Sequence, residues 1–305
     1  MKIFITGATG YLGYNFAITA IKQGHQVLCL RRSSSISLFD KKTEASVQWV
    51  SNENLLNLHD VVHTFQPDIL FHAAWSGVRG SERDNAEIQF SNISLSQQLF
   101  ELYPYKQIIA LGSQAEYGLY DHIVSEVDKL SPISLYGKCK KTVCENLKKY
   151  CEANNIEWHW IRIFTVFGEK QTGGLIKIFA EKCLNNECSF ETTLGEQKYS
   201  YLYAYDFSCA LCNVLGITGK SGVYNLSQPN NLLSNRELLE KIKKLLGSDI
   251  QILYGAKPYE KNQVMLMDGN VNKFENAFGC IPHSNFESSL EQTLNIIKTQ
   301  YKKDE

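Results

Sequence analysis

The chain has 305 residues, of which 44% are hydrophobic and 21% charged, and its formal net charge is -1 at pH 7. These values predict a globular protein with a sizeable core and argue against a nucleic-acid-binding protein, which would carry an excess of positive charge. No stretch is long and apolar enough to predict a membrane span, and the first predicted strand follows Met1 without room for a signal peptide.

Strand and helix patterns alternate along the first half of the chain. Strands are predicted at residues 3–6, 26–30, 47–50, 68–72, 107–111 and 157–163, and helices at 11–24, 55–65, 85–103 and 134–153. This alternation predicts an α/β fold, a Rossmann-type doubly wound parallel sheet with helices on both faces. After residue 165 the elements become shorter and mixed, which predicts a smaller mixed α/β lobe built from C-terminal segments.

The nine cysteines are scattered and show no disulfide spacing. We therefore expect free thiols and a cytoplasmic protein. Cys209 and Cys212 form a Cys-x-x-Cys pair, but the pair lies in an apolar helical pattern and has no second pair of ligands nearby. Buried thiols are expected there, and no metal site.

A glycine-rich turn joins the first predicted strand to the first helix, where residues 6–13 read Thr-Gly-Ala-Thr-Gly-Tyr-Leu-Gly. Gly7 would allow the sharp turn, Gly10 would let the backbone approach a pyrophosphate, and Gly13 would let the helix pack against the strand. The helix start presents free amide groups and a partial positive charge to phosphates. The other cofactor-binding residues expected in this turn are Thr9, Tyr11 and Leu12.

The residues after the second strand bear on which dinucleotide binds. An acidic residue there usually meets a free ribose 2′-hydroxyl, whereas arginine suits a 2′-phosphate. This chain has Arg31, Arg32 and Ser33 and no acid in that window. Guanidinium and hydroxyl groups favour a phosphate, so we expect NADP(H), with NAD(H) as the alternative.

A tyrosine and a lysine stand four residues apart in the segment Pro132-Ile-Ser-Leu-Tyr-Gly-Lys-Cys-Lys140. At helical spacing Tyr136 and Lys140 share one face, so the ammonium group can lie near the phenol. An adjacent cation lowers the pKa of a phenol and makes it a usable proton donor near neutral pH. Behind a dinucleotide-binding turn, this pair predicts a hydride-transfer enzyme.

Together these motifs make the chain resemble the extended short-chain dehydrogenases/reductases, the branch that contains nucleotide-sugar epimerases, dehydratases and ketoreductases. The resemblance runs nearly from end to end. It is carried by residues 6–13, 67–75, 112–118, 132–140, 161–168, 195–206 and 223–227. It implies that residues 1–165, with 200–227 returning to them, form the NADP(H)-binding domain, and that 166–305 form mainly the nucleotide-sugar-binding lobe.

The resemblance also implies roles for individual residues. Ser113 would hydrogen-bond the reacting substrate oxygen, Tyr136 would exchange its proton, and Lys140 would lower the tyrosine pKa and hold the nicotinamide ribose. Asn92 would support this group from a helix. Ala73 and Ala74 would leave room for the cofactor. The residues expected to contact the substrate are Trp75, Arg79, Ser113, Gln114, Thr165 and Tyr199.

Departures from the family pattern distinguish among its reactions. Where sugar 4,6-dehydratases have an Asp and a Glu after the Ser/Thr, this chain has Gln114 and Ala115, and Glu116 should point elsewhere. Dehydration is therefore not expected. A combined epimerase-reductase of the GDP-fucose synthase kind is disfavoured as well, because no cysteine lies near Ser113 in sequence. Tyr199 stands where many relatives have a phosphate-binding arginine, so phosphate binding would be supplied by other residues or be weaker. Arg79 and Arg83 are the candidates for the diphosphate, with a solvated loop charge as the equal alternative.

Two reactions remain open. The first, which fits Arg31 and Arg32, is an NADPH-dependent reduction of the C4 ketone of a nucleotide-activated 4-keto sugar. A 6-deoxy sugar for a surface polysaccharide is expected. A 4-epimerase is the alternative, and a non-catalytic NADP(H) sensor is a remote one. Residues 112–118 also resemble the corresponding segment of CDP-abequose and CDP-paratose synthases. A homodimer through a four-helix bundle is implied by the resemblance, with helices 85–103 and 134–153 at the interface.

Overall fold

The computed structural model describes residues 1–51, 53, 55–229 and 231–304. Elements are numbered along the whole chain. The strands of the central sheet are β1 (Lys2–Thr6), β2 (Gln26–Arg31), β3 (Val47–Ser51), β4 (Ile69–His72), β5 (Gln107–Ser113), β6 (Glu157–Ile163) and β10 (Gly222–Leu226). They are parallel throughout and lie in the order β10-β6-β5-β4-β1-β2-β3. The predicted Rossmann-type parallel sheet is confirmed.

Ten α-helices lie within the described residues, around this sheet and in the part of the chain that follows it. They are α1 (Tyr11–Lys22), α2 (Lys41–Glu44), α3 (Leu55–Phe65), α4 (Ala86–Glu101), α5 (Leu135–Asn154), α6 (Leu175–Leu184), α7 (Ala204–Cys212), α8 (Asn235–Leu246), α9 (Asn272–Phe278) and α10 (Phe286–Asp304). The helices predicted in the first half end within about two residues of those observed, because glycine, proline and cap residues mark their ends.

The sheet is buried on both faces, which explains the nearly continuous apolar runs of its strands. In β1, Ile3 and Ile5 point into one hydrophobic core, which includes α1 and α7. Phe4 points into the other core, which includes α3, α4 and α5. Successive side chains of a strand alternate between faces, so a three-residue apolar run supplies both layers.

A smaller lobe follows the sheet. Its strand β9 (Lys198–Tyr203) pairs with β7 (Thr165–Phe167), β11 (Leu232–Ser234) and β13 (Leu266–Met267). A separate pair joins β8 (Ser189–Thr192) to β12 (Gln251–Tyr254). Helices α6, α8 and α10 contribute to the third hydrophobic core, which lies in this lobe.

The chain crosses between sheet and lobe more than once. After β9, helix α7 packs on α1, and β10 adds to the edge of the central sheet beside β6. Helix α9 then packs against β10 and places Phe274 and Phe278 in the core on the α1 side. The packing of α9 on the central sheet was not expected from the sequence. Phe274 and Phe278 would fit the core of the sheet or that of the smaller lobe equally well.

All nine cysteines are free thiols, and Cys212 is buried while Cys209 is half-buried. Across the described residues, no helix combines the length and apolar character that a membrane span would need.

Candidate active site

The glycine-rich turn lies against the end of β4. Gly7 has φ +78°, and a Cβ added there would lie 2.7 Å from the carbonyl carbon of Ala73. A Cβ on Gly13 would lie 2.2 Å from the Gly7 carbonyl oxygen, so only glycine permits this contact between helix and turn. The backbone therefore forms a cradle that side chains would fill, and a dinucleotide pyrophosphate fits it.

A cleft runs from this turn along the carboxyl ends of β1, β2 and β4. Seven of the residues expected to bind the cofactor line it. They are Gly7, Thr9, Gly10, Arg31, Arg32, Ala73 and Ala74. Asn92, expected as a supporting residue, lines it too. In open α/β sheets, ligands bind at this edge.

The loop after β2 brings both arginines to the cleft. Arg31 lies over the ring of Trp49 at 5.0 Å, and Arg32 is exposed beside Ser35. Ser33 is turned toward Glu53, whose carboxylate accepts hydrogen bonds from its backbone N–H at 3.0 Å and from its hydroxyl. An acidic side chain, Glu53, therefore reaches this loop from beyond β3. The sequence prediction considered only the residues that directly follow β2 and so missed it.

Ser113 and Tyr136 meet at the end of β5. Ser113 is the last residue of the strand, and Tyr136 is the second residue of α5, which begins at Leu135 after the N-cap Ser134. The Ser113 side chain faces the Tyr136 hydroxyl closely enough to lower its pKa. Burial raises the pKa of Tyr136, while this interaction and the positive charge of Arg83 act in the opposite direction.

Lys140 is the third member of the triad formed by Ser113, Tyr136 and Lys140, and it is buried away from solvent. Its ammonium group donates to the Leu111 carbonyl oxygen at 2.7 Å and lies 3.7 Å from the centre of the Trp75 ring and 6.0 Å from that of Tyr136. Burial lowers the pKa of Lys140 to about 7. The sequence suggested a fully charged lysine that lowers the tyrosine pKa; burial of both groups opposes that effect here.

The loop between β4 and α4 covers the triad. Trp75 meets the Tyr136 ring edge to face at 6.0 Å, and its indole N–H donates to Gln89 Oε1 at 3.0 Å. The fully buried Gln89 also donates to the carbonyl oxygens of Gly77 and Glu82. These bonds hold the loop in one shape. Gln89 was missed in the sequence because nothing in a helical glutamine signals three loop contacts.

Asn92 supports the same loop. Its side chain accepts from the Ser76 N–H at 2.9 Å and donates to the Ser76 carbonyl oxygen at 3.0 Å. Asn92 therefore bonds the loop after β4, which carries Trp75, and supports the triad only through this loop.

A second cavity, of about 580 Å³, adjoins the triad on the side of the smaller lobe. This volume is in the range of small-molecule sites. Gln114 and Tyr199 line it, as does Met267, which accepts a hydrogen bond from the Thr165 hydroxyl at 3.3 Å. The Tyr199 hydroxyl accepts from Gln263 Nε2 at 2.7 Å, and burial raises its pKa to about 12.

The two loop arginines are placed differently. Arg83 lines the second cavity and lies 4.7 Å from the centre of the Tyr136 ring. Arg79 packs against Gly173, where an added Cβ would lie 2.0 Å from Nη1. Of the two candidates for the diphosphate, the structure therefore brings Arg83 to the triad.

Within the part of the chain that the structure describes, Glu116 is the one acidic residue beside the triad, and it points away from the second cavity as expected. It is fully buried, and its carboxylate accepts from Arg162 Nε at 2.8 Å, from Trp160 Nε1 at 2.9 Å and from the Ser113 backbone N–H at 2.9 Å. A carboxylate bonded in this way is not free to move protons for a substrate.

The chain belongs to the NAD dependent epimerase/dehydratase family, whose model matches residues 3–227. A CDP-abequose synthase of Salmonella muenchen is 23% identical over 97% of this chain and 97% of its own length. The structure of a UDP-glucose 4-epimerase from Thermotoga maritima, solved with UDP-glucose, is 23% identical, covers 99% of this chain and 100% of its own, and superposes with a TM-score of 0.88. That of a UDP-glucuronic acid 4-epimerase from Bacillus cereus, in complex with UDP-glucuronic acid and NAD, is 22% identical over 99% and 100% of the two chains, with a TM-score of 0.85.

The chain is thus an enzyme of a nucleotide-sugar family with an oxidoreductase-type site. The solved relatives share its fold, and the Bacillus cereus structure contains NAD.

Proposed function

We propose that this enzyme reduces the C4 ketone of a nucleotide-activated 4-keto sugar, most simply a 6-deoxy sugar, with NADPH. The observation that carries the proposal is the set of groups around Ser113. Tyr136 and Lys140 supply proton transfer and charge, while the next two positions, Gln114 and Ala115, have no acid or base for elimination. Glu116 is occupied by its buried partners.

NADPH, when bound in the cleft, would supply a hydride to the sugar C4. The residues of the chain do the rest. Ser113 hydrogen-bonds the C4 oxygen, and Tyr136, whose hydroxyl lies beside Ser113, donates its proton to that oxygen as negative charge develops. The ketone gains a hydride and a proton and becomes the alcohol. Lys140, with a pKa of about 7, can supply positive charge beside the phenol near neutral pH.

Arg31 and Arg32 support the NADPH preference, since both lie at the cleft beyond β2. Glu53 acts against it, because its carboxylate occupies the Ser33 N–H and hydroxyl that a 2′-phosphate would use. We infer that Glu53 must release Ser33 when NADPH binds, and that NADH is the weaker cofactor.

A 4-epimerase is the second candidate, because the two solved relatives described above are 4-epimerases. An epimerase uses the same tyrosine and lysine but keeps its dinucleotide through the cycle. The CDP-abequose synthase relative favours reduction, in keeping with residues 112–118. A non-catalytic NADP(H) sensor is the remote alternative, and retention of Ser113, Tyr136 and Lys140 in one cluster argues against it.

We further propose a division of the chain in which residues 1–165 with 200–227 bind the dinucleotide and 166–305 mainly bind the nucleotide sugar. The protein would work in the cytoplasm, where its nine free thiols stay reduced. Its product would be a sugar for a surface polysaccharide.

A homodimer through α4 and α5 belongs to the same proposal. Phe90 of α4 is 55% exposed, which supports an interface on this helix. The exposed positions of α5 are polar or charged apart from Ala153, so its contribution would be hydrogen bonds and ion pairs. Light scattering should give a dimer for the wild type and a monomer for Phe90→Glu; a monomeric wild type would contradict this part.

The test of the reaction is a cofactor assay. Purified protein is mixed with NADPH or NADH and a panel of nucleotide 4-keto-6-deoxy sugars, and loss of nicotinamide absorbance is followed. We expect stoichiometric oxidation with one sugar and a preference for NADPH. If no sugar causes oxidation and denatured protein releases tightly bound NAD(H), the epimerase is the better assignment.

A further inference from the structure

The buried pair of Glu116 and Arg162 lies directly beneath the catalytic triad, and no step of the proposed reaction uses it. Glu116 is 0% exposed and Arg162 is 3% exposed. Ion pairs this deeply buried have a large desolvation cost and are not a general source of stability. Because the pair lies beneath Ser113, we examine whether it acts on the active site rather than on stability.

Glu116 contacts the triad directly at Ser113. One carboxylate oxygen accepts from the Ser113 backbone N–H at 2.9 Å, which fixes the residue that carries the substrate-binding hydroxyl. The same oxygen accepts from the Trp160 indole at 2.9 Å. Gly112 makes this possible, because a Cβ there would lie 2.2 Å from Trp160 Nε1 and 2.7 Å from the Glu116 carboxylate.

The other carboxylate oxygen binds Arg162 Nε at 2.8 Å, and the arginine is itself held in place. Arg162 donates to the Tyr117 hydroxyl at 3.1 Å, and that hydroxyl donates to Asn225 Oδ1 at 2.7 Å. The carboxylate is thus fixed from β6 and β10 on one side and bonded to the end of β5 on the other. A fixed charge of this kind needs no reorganisation during a reaction.

We propose that Glu116, held by Arg162, is a positioning residue of the active site, which orients Ser113 through its backbone and places a permanent negative charge beside Lys140. The proposal rests on the proposed reductase function for its kinetic arm only.

The electrostatic consequence follows from the surroundings of the triad. The titratable and charged groups around Lys140 and Tyr136 come from several elements: Tyr136 and Cys144 from α5, Glu116 from the turn after β5, Arg162 from β6, His72 from β4, and Arg83 from the loop after β4. Among them Glu116 is the carboxylate: the Lys140 ammonium lies 5.8 Å from the centre of the Trp160 ring, whose indole N–H donates to Glu116. Its charge raises the pKa of Lys140 against the effect of burial. It raises the pKa of Tyr136 as well.

Glu116→Gln removes this charge with little change of shape. Both Lys140 and Tyr136 should then lose their protons at lower pH, so the basic limb of the pH–rate profile should move down by on the order of one pH unit. The amide cannot accept from Ser113, Trp160 and Arg162 together, so kcat should fall about tenfold or more with a smaller change in KM. Glu116→Asp keeps the charge and should restore most of the pH profile.

Neutralising one partner leaves Arg162 buried without its counter-charge, which can destabilise the fold. The double variant Glu116→Gln/Arg162→Gln removes both charges and keeps the test open. It should show the same downward shift, because Glu116 is the member of the pair that acts on Lys140.

A second readout does not depend on turnover. In protein labelled with ¹³C at lysine Cε, the Lys140 signal, identified by its loss in Lys140→Arg, is titrated in the wild type and in both glutamine variants. We expect a lower Lys140 pKa in the variants and a value near the wild type in Glu116→Asp. An unchanged Lys140 titration in folded Glu116→Gln would overturn the proposal. If the wild type reduces no keto sugar while the titration shifts as expected, the proposed reaction fails and the positioning role stands.

Discussion

Replacing Tyr136 with phenylalanine should remove catalysis while leaving the protein folded and able to bind its cofactor. The ring lies between Arg83 at 4.7 Å and the Trp75 ring at 6.0 Å, and phenylalanine keeps both contacts. The structure loses the interaction of the hydroxyl with Ser113. Even a full hydrogen bond contributes only about 0.5–1.5 kcal/mol to stability, so the free energy of unfolding should change little.

The effect on the reaction should be much larger, because phenylalanine has no proton to donate to the C4 oxygen. Loss of a positioned general acid lowers the rate about 10²–10⁴-fold. Single-turnover rates with NADPH and the keto sugar isolate this step from product release, and fluorescence titration gives the NADPH dissociation constant, which should change by no more than about tenfold.

A matched control is available in Tyr105, a buried tyrosine remote from the triad whose hydroxyl has no hydrogen-bond partner among the described residues. Tyr105→Phe should keep the wild-type rate. If Tyr136→Phe kept more than about a tenth of the single-turnover rate, the assignment of Tyr136 as proton donor would be refuted.

Three further outcomes are expected. Glu53→Gln weakens the hold on Ser33 and leaves it for a 2′-phosphate. The affinity for NADPH should then rise by up to about fivefold while the affinity for NADH stays constant. Equal changes for both cofactors would count against the placement of the 2′-phosphate. Arg83→Met should raise KM for the nucleotide sugar more than Arg79→Met does, and the reverse order in steady-state kinetics would contradict the assignment of Arg83 to the diphosphate. Burial lowers the pKa of His72 from 6.5 to about 3. As the pH falls, the unfolded state therefore binds a proton at this histidine before the folded state does. The free energy of unfolding should fall between about pH 6.5 and pH 3, by up to about 1.4 kcal/mol per pH unit. Urea unfolding of His72→Asn should lack that share of the pH dependence.

The central sheet and the triad could be predicted because their signals are local. The glycine spacing in residues 6–13 requires the observed turn, and Tyr136 and Lys140 follow a cap at Ser134 that sets where α5 begins. Strand patterns gave the parallel sheet, since buried strands need apolar side chains on both faces.

Contacts between distant segments could not be predicted in the same way. Glu53 reaches Ser33 from beyond β3, and Gln89 holds Trp75 from the helix that follows its loop. The burial that lowers the pKa of Lys140 to about 7 depends on the Trp75 ring above it, which no spacing rule specifies. Such pairings are properties of tertiary packing rather than of local pattern.

The most direct test of the central claim follows the fate of hydrogen at the sugar C4. The enzyme is incubated with the accepted keto sugar and NADPH carrying deuterium at the transferred position, and the product is analysed by NMR and mass spectrometry. The reductase predicts one deuterium at C4 for each NADPH oxidised. Product without deuterium, formed with no net oxidation of NADPH, would contradict the reductase and assign the site to an epimerase.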